Sequence, residues 1–424
     1  MSSKLLRLVY STLFYLAIPL VLLRLLWRSR REPLYRATLG QRFGYTRKLS
    51  APGLVWIHSV SAGETNAAAP LARRLVDKGH PVIITTMTPT GRERVGALFG
   101  DTVYHSYAPY DMPDAMNRFL SRTQPAVLVI IDTELWPNMI HYAHRRGTKT
   151  LLVNARLSEK SARGYAMVRP LVAETLRELD MVAVQTEAHG RRFVSLGLPL
   201  SKLDVAGSIK FDFLLPEDLD ERAAQLKSKI GERRVILAAS THPGEDEAVL
   251  EQFLAMKEKD VLLILAPRHP HRASAVEQLC KTKGLQVVRH SAGTPCDNHI
   301  DVLLVDTMGE LMYFYRVADI TFVGGSLAPV GGHNPMEPAS LGVPVIMGPH
   351  LRNIDDIAAR FVEAGGMMVV DDADQLGAAF AHLLHDENAR RSLAANARGV
   401  MESNRGALDR VENLIASMLP KVNR

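Results

Sequence analysis

From Pro52 onward, short apolar runs alternate with longer stretches in which apolar residues recur at helical spacing. Leu54–His58 reads as a strand, Glu64–Lys78 as a helix, and Val82–Thr86 as the next strand. Ala126–Ile131, Thr150–Val153 and Met181–Gln185 continue the series. Near-continuous apolar strands alternating with helices predict βαβ units and a parallel sheet covered on both faces. An acid-rich amphipathic stretch, Leu214–Arg233, then interrupts the pattern. Alternation restarts with Val235–Ala239, Val261–Ala266, Gln286–Val288, Val302–Val305, Ile320–Val323 and Val343–Met347. Residues 373–418 read as two or three helices without a strand. A chain of 424 residues exceeds one ordinary core. The fold class expected is α/β, with two Rossmann-like domains facing a central cleft and ligands beyond the carboxyl ends of the strands. The divisions expected are residues 1–30, 31–211 and 212–424, with the last helices able to cross back.

The N-terminus follows a different pattern. Leu8 to Leu26 is apolar except for Ser11, Thr12, Pro19 and Arg24. This approaches the ~20 residues that span a bilayer. No small-residue cleavage site follows it, which disfavours a secretory signal peptide. The net charge of +6 resides here: residues 1–48 contribute +9, leaving −3 for the rest. That distribution argues against a nucleic-acid groove. More basic residues follow the apolar segment than precede it, which places the main body in the cytoplasm behind a single-pass anchor. Arg24 and Pro19 weaken a span and leave an in-plane anchor open. Cys280 and Cys296 form no CxxC pair, which fits a reduced compartment.

The candidate chemistry lies in loops that leave strands. The stretch Gly324–Pro338 joins a strand, four glycines and a helix start. Asn334 suits an N-cap, Pro335 the first helical position, and Glu337 can grip ribose hydroxyls. The expectation is an anion site at that loop. His58–Thr65 contains neither GxGxxG nor GxxxxGK[ST], and its Glu64 opens a helix, where the dipole favours an ionised carboxylate. Asp132–Asn138 presents Asp-x-Glu with Glu134, a divalent-metal or substrate-positioning pattern. Lys210 follows Gly207-Ser208-Ile209 near the predicted domain boundary. Ala266–His271 supplies Arg268, a phosphate partner, and His269. Thr307–Leu311 places Gly309, Glu310 and Leu311 at a helix start whose backbone can read a base or a phosphate. No Ser–His–Asp or Cys–His arrangement emerges.

Taken in order, these motifs resemble the 3-deoxy-D-manno-octulosonic acid (Kdo) transferases of lipopolysaccharide synthesis, which have the GT-B fold. The resemblance runs over nearly the whole chain. It implies the donor CMP-Kdo, the tetra-acylated disaccharide precursor of lipid A as acceptor, inversion, and no metal or cofactor. It implies Glu64 as the proton acceptor and Glu134 and Lys210 as stabilisers of the transition state. The CMP contacts it implies are Arg268, His269, Gly309, Glu310, Leu311, Asn334, Pro335, Met336 and Glu337. It also implies attachment to the bacterial inner membrane through the N-terminal segment and the basic belt from Arg24 to Lys48. The rival readings are a GT-B transferase or epimerase that uses a UDP-sugar, and a non-catalytic binder of lipid headgroups.

Overall fold

The computed structural model describes residues 2–30, 36, 38–49, 51–213, 215–258 and 260–420. Arg31 and Glu32, within the expected basic belt, lie outside them. The chain forms two compact units: Met1–Phe213 together with Arg405–Arg424, and Leu214–Asn404.

In the first unit the strands are β1 (Val55–His58), β2 (Val82–Thr86), β3 (Tyr104–Tyr107), β4 (Val127–Ile131), β5 (Lys149–Ala155), β6 (Met181–Val184) and β7 (Leu203–Val205). They form one sheet in the order β3-β2-β1-β4-β5-β6-β7. All the pairings are parallel. Strand side chains point alternately to the two faces. Val55 and Ile57 therefore join a core with Ala68, Leu71 and Leu75, while Leu54 and Trp56 join another with Met116 and Phe119.

The first core is completed from far along the chain. The helix Ala407–Met418 inserts Leu408, Val411 and Ile415 into it. Asp212 accepts from the backbone N–H groups of Gly406 and Leu408, and Glu412 pairs with Arg74 and Lys78.

The N-terminal helix Ser3–Arg28 does not stand free of this unit. Tyr10 donates to Asp111 at 2.9 Å, Ser11 meets the side chain of Asn138, and Arg7 pairs with Glu174. Phe14, Ile18 and Val21 pack on Tyr110, Met112 and Ala115. The opposite face leaves Leu8, Leu13, Leu16, Leu20, Leu23 and Trp27 exposed.

In the second unit the strands are β8 (Arg234–Thr241), β9 (Val261–Pro267), β10 (Val287–Arg289), β11 (Val302–Leu304), β12 (Ile320–Val323), β13 (Val345–Met347) and β14 (Met368–Val369). The order is β10-β11-β9-β8-β12-β13-β14, again parallel throughout. Ile236 and Ala238 face one core, and Val235, Leu237 and Ala239 face the other. Three helices, Ala373–His385, Glu387–Ser403 and Ala407–Met418, fill the C-terminal stretch. β3, β7 and β14, absent from the apolar pattern, are edge strands of these sheets. An edge strand has one neighbour and tolerates polar residues, so it leaves no apolar run.

Candidate functional site

In the first unit the site forms at the carboxyl ends of β1, β4, β5 and β7. Ser61 is the N-cap of the helix Ala62–Asp77, and Glu64 is its third residue. Ser61 Oγ accepts from the Glu64 amide, and Glu64 Oε1 accepts from Ser61 Oγ at 3.2 Å. Glu64 Oε2 accepts from the Val60 amide at 2.5 Å. This is a variant of the capping box, in which cap and carboxylate fix each other. The ionisation expected from the helix dipole is corrected by the surroundings. Burial, and secondarily Asp132 and Glu134, push the Glu64 carboxyl up to about 7, against the lowering by the Val60 and Ser61 hydrogen bonds.

Glu134 is held from the side. Its Oε2 accepts from Trp136 Nε1 at 2.8 Å, and the Trp136 ring meets His58 edge-on with centroids 4.7 Å apart. His58 is buried, which keeps its imidazole neutral, with a pKa lowered to about 3. Thr85 accepts from Trp56 Nε1 at 2.8 Å and lies 3.0 Å from His58 Nδ1.

Asp132 and Asn154 both adopt positive φ, 60° and 59°. Such backbone is uncommon outside glycine and clusters at functional sites. Asn154 donates to Asp132 and accepts from Gln185 and Ser208, tying the ends of β4, β5, β6 and β7 together. Ser208 in turn accepts from the Lys210 amide, and Ile209 is buried in the same core as the Glu64 helix. The structure thus brings Glu64 and Glu134 together and anchors the Lys210 turn nearby. Lys210 forms no ion pair among the described residues.

In the second unit the loop after β9 carries Arg268 and His269. The Arg268 amide donates to Thr241 O at 3.0 Å. Arg272 pairs with the buried Asp246, so Arg272 is a structural cation. Arg268 bears on His269, His333 and Glu337. Asn334 Oδ1 accepts from the Met336 amide at 3.0 Å, and its Nδ2 donates to Glu337 at 3.3 Å. Burial raises the Glu337 carboxyl above its usual range, opposed by Asn334 and Arg268.

Pro335 and Met336 are buried, so what they offer a ligand is backbone. The same holds for Glu310, whose carboxylate pairs with Arg222 and lies 3.4 Å from His290 Nε2. Gly309 takes a positive φ of 82°, and Leu311 starts a helix that packs on Met336–Ser340.

The glycine loop itself corrects the sequence expectation. Its leading amides face no open site. The carboxylate of Glu245, 1% exposed, accepts from Gly325 (2.7 Å), Ser326 (2.9 Å), Leu327 (2.9 Å) and Ala328 (3.1 Å), and from His242 (2.9 Å). Gly331 and Gly332 fold back onto Gly325 O, and the His333 amide donates to Gly324 O. The loop is closed on an internal anion, so an incoming phosphate must rely on other groups. Sequence reasoning missed Glu245, His242, Trp136 and Asn154. The available signal for Glu245 was an acid in the first helical turn after β8, the same signal that singled out Glu64. Among the described residues, no three His, Cys, Asp or Glu side chains are grouped so as to hold a metal ion.

Two parallel α/β units of seven strands each, with polar loops at the strand ends, are the architecture of a GT-B glycosyltransferase. Residues 37–213 match the family model for 3-deoxy-D-manno-octulosonic-acid transferase, and residues 285–400 match glycosyl transferases group 1. The 3-deoxy-D-manno-octulosonic acid transferase of Haemophilus influenzae is 38% identical over 98% of this chain and 99% of its own. That of Bordetella pertussis is 36% identical over 88% of both. The chain belongs to the Kdo transferase family. A solved UDP-GlcNAc 2-epimerase from Neisseria meningitidis shares the fold at 16% identity, with a TM-score of 0.56 over 86% of this chain and all of its own.

Proposed function

We propose that this glycosyltransferase moves Kdo from CMP-Kdo to the tetra-acylated disaccharide precursor of lipid A, with inversion and without a metal ion. The observation that carries the reading is Glu64: a fixed carboxylate whose proton affinity lies near neutrality. Inversion needs one base for the attacking hydroxyl, and a base is most effective when its pKa is close to the working pH. In this reading Glu64 takes the proton of an acceptor hydroxyl as that oxygen bonds to the anomeric carbon. The bond from that carbon to the phosphate oxygen breaks, and the electron pair leaves with CMP. Glu134 and Lys210 stabilise the transition state. Arg268 and His269 hold the phosphate, and the backbone of Gly309–Leu311 and Asn334–Glu337 reads the cytidine. Positive charge from Arg268 does the work that a divalent cation would do for the leaving group.

The N-terminal helix supports a membrane source for the acceptor. Its outer face is a continuous apolar strip, and its inner face is bound to the first unit by Arg7, Tyr10 and Ser11. A helix held along a folded unit suits burial in the membrane interface better than a free span. The reading is attachment to the bacterial inner membrane with both units on the cytoplasmic side, aided by the basic residues up to Lys48.

The test is incubation of the full chain with CMP-Kdo and the tetra-acylated precursor in detergent micelles, with excess chelator, and mass analysis of the product. A mass increase by whole Kdo residues is expected. No transfer, together with turnover of a UDP-sugar, overturns the reading.

A further inference from the structure

His242 follows β8 and His333 closes the glycine loop after β12. Their Nε2 atoms are 2.8 Å apart. The ring planes lie within 13° and the centroids are 5.1 Å apart, so the rings meet nitrogen to nitrogen in one plane and not face to face. One hydrogen must lie between the two nitrogens. With both rings neutral, one Nε2–H donates to the lone pair of the other. If one ring gains a proton at Nδ1, the same bond persists and is strengthened by the charge. If both rings gain one, two N–H groups confront each other and the bond is lost. The geometry therefore admits one extra proton and rejects a second.

The groups packed around the pair carry an excess of positive charge. From the loop after β9 come Arg268, His269, His271 and Arg272; His269 sits edge-on to His242 at 6.1 Å and lies 5.5 Å from His271. From the helix Glu245–Met256 come Glu245, whose oxygens are committed to backbone amides, and Asp246, paired with Arg272. From the helix Met336–Ser340 comes Glu337. Among the described residues, Arg268, His269 and the histidine pair are left without a carboxylate committed to them, apart from the half-buried Glu337. Burial, with Arg268, His242 and His269, holds His333 down at about 4, so a proton added to that ring needs a negative charge beside it.

We propose that His242 and His333 belong to the phosphate subsite of the second unit, and that the pair takes up one proton from solvent when a nucleoside monophosphate binds there. This rests on the reading of that unit as the CMP-Kdo site. The step forms one N–H bond at a ring nitrogen with a proton given up by water or a buffer acid, and no bond of the nucleotide is broken. The phosphodiester of a CMP-linked sugar carries one negative charge, whereas released CMP carries about two once its second proton, of pKa about 6, is lost. The added proton matches the second charge, so the pair favours the departing phosphate over the bound donor, which is the direction that lowers a barrier.

The experiment is titration calorimetry of CMP into the full chain at about pH 8, where the free phosphate is a dianion, repeated in buffers of differing ionisation enthalpy. The dependence on buffer enthalpy counts the protons exchanged. Uptake of close to one proton per CMP is expected for the unaltered protein by linkage. His242→Gln and His333→Gln each reduce that uptake by more than about half and weaken CMP about tenfold, the loss of one charge-assisted contact. His271→Gln leaves the uptake in place. Melting curves confirm that the variants fold, and the count on the unaltered protein stands without them. Absence of uptake overturns the proposal, as does uptake undiminished in both pair variants, which would put the proton on His269 or the nucleotide. Absence of saturable CMP binding at any pH overturns the donor-site reading itself.

Discussion

The carboxylate of Glu245 lies 2.7 Å from the amide nitrogen of Gly325, eighty residues further along the chain. Four successive amides, from Gly325 to Ala328, converge on its two oxygens. A cluster of backbone N–H groups is a ready anion site, and here the protein supplies its own anion. Glu245→Gln keeps the size but turns a donor NH₂ toward some of those amides. Each amide left without an acceptor costs about 1–3 kcal/mol. The expected result is a lower melting temperature and a KM for CMP-Kdo raised at least about tenfold, with the KM for the acceptor little changed. Equal rises in both would show that the loop does not shape the donor site.

Glu64→Gln removes the proposed base while leaving an acceptor oxygen for the Val60 amide. Turnover is expected to fall by about two to four orders of magnitude, the range for general base catalysis. CMP affinity in the same variant stays within about twofold, since the base touches no part of the nucleotide in this reading. The pH profile follows from the raised carboxyl. Glu64 acts as a base only when ionised, so kcat/KM is lost as pH falls through about 7. An acid limb centred near 4.5, the ordinary Glu value, would contradict the buried environment.

Trp136→Phe retains the ring against His58 and deletes the hydrogen bond to Glu134. The carboxylate then loses its fixed orientation. A fall in kcat of about tenfold is expected, equivalent to about 1.4 kcal/mol of transition-state stabilisation. Unchanged kcat would mean that Glu134 does not act through that orientation.

Asp111 is a buried carboxylate that accepts from the amides of Asn138 (3.0 Å) and Met139 (2.7 Å) and from the Tyr10 hydroxyl (2.9 Å). Asp111→Ala strands all three donors. Losing such a buried network costs about 3 kcal/mol or more. Denaturant unfolding of the first unit should shift accordingly. Flotation with anionic vesicles should persist, because the exposed apolar strip of the Ser3–Arg28 helix is untouched.

Gly348 leaves β13 directly under the loop. A Cβ there would lie 2.4 Å from the backbone of Ser326 and Leu327, which cannot move without releasing Glu245. Gly348→Ala is expected to abolish measurable CMP binding, or to unfold the second unit outright, as read by calorimetry and by near-ultraviolet circular dichroism.

Much of the strand pattern was legible because a doubly covered parallel strand must be apolar at every position. β4 and β9 are buried throughout and read as unbroken runs. β3, with Tyr104 and His105 at its exposed end, gave no such run. The loops that carry Glu64, Glu134 and Arg268 were found because they leave strands, and the fold concentrates polar loops there. What stayed hidden depends on distant partners. The glycines suggested an open anion site because Glu245 is remote in sequence. Helix position alone favours an ionised Glu64, whereas burial beside Asp132 and Glu134 outweighs the dipole. The His242–His333 contact joins two loops ninety-one residues apart, and no spacing rule predicts it.

The return of Ala407–Met418 to the first unit sets an order of events during synthesis. Leu408, Val411 and Ile415, with Ala407, are buried in a core whose remaining buried members lie between Val55 and Ile209. Leaving three such side chains unburied forgoes about 1.5–3 kcal/mol for each. A nascent chain that has emerged only through Asn404 therefore holds everything the second unit needs, while the first still shows an open greasy groove. The part made second can be finished first, and the part made first waits with a surface that a chaperone would recognise.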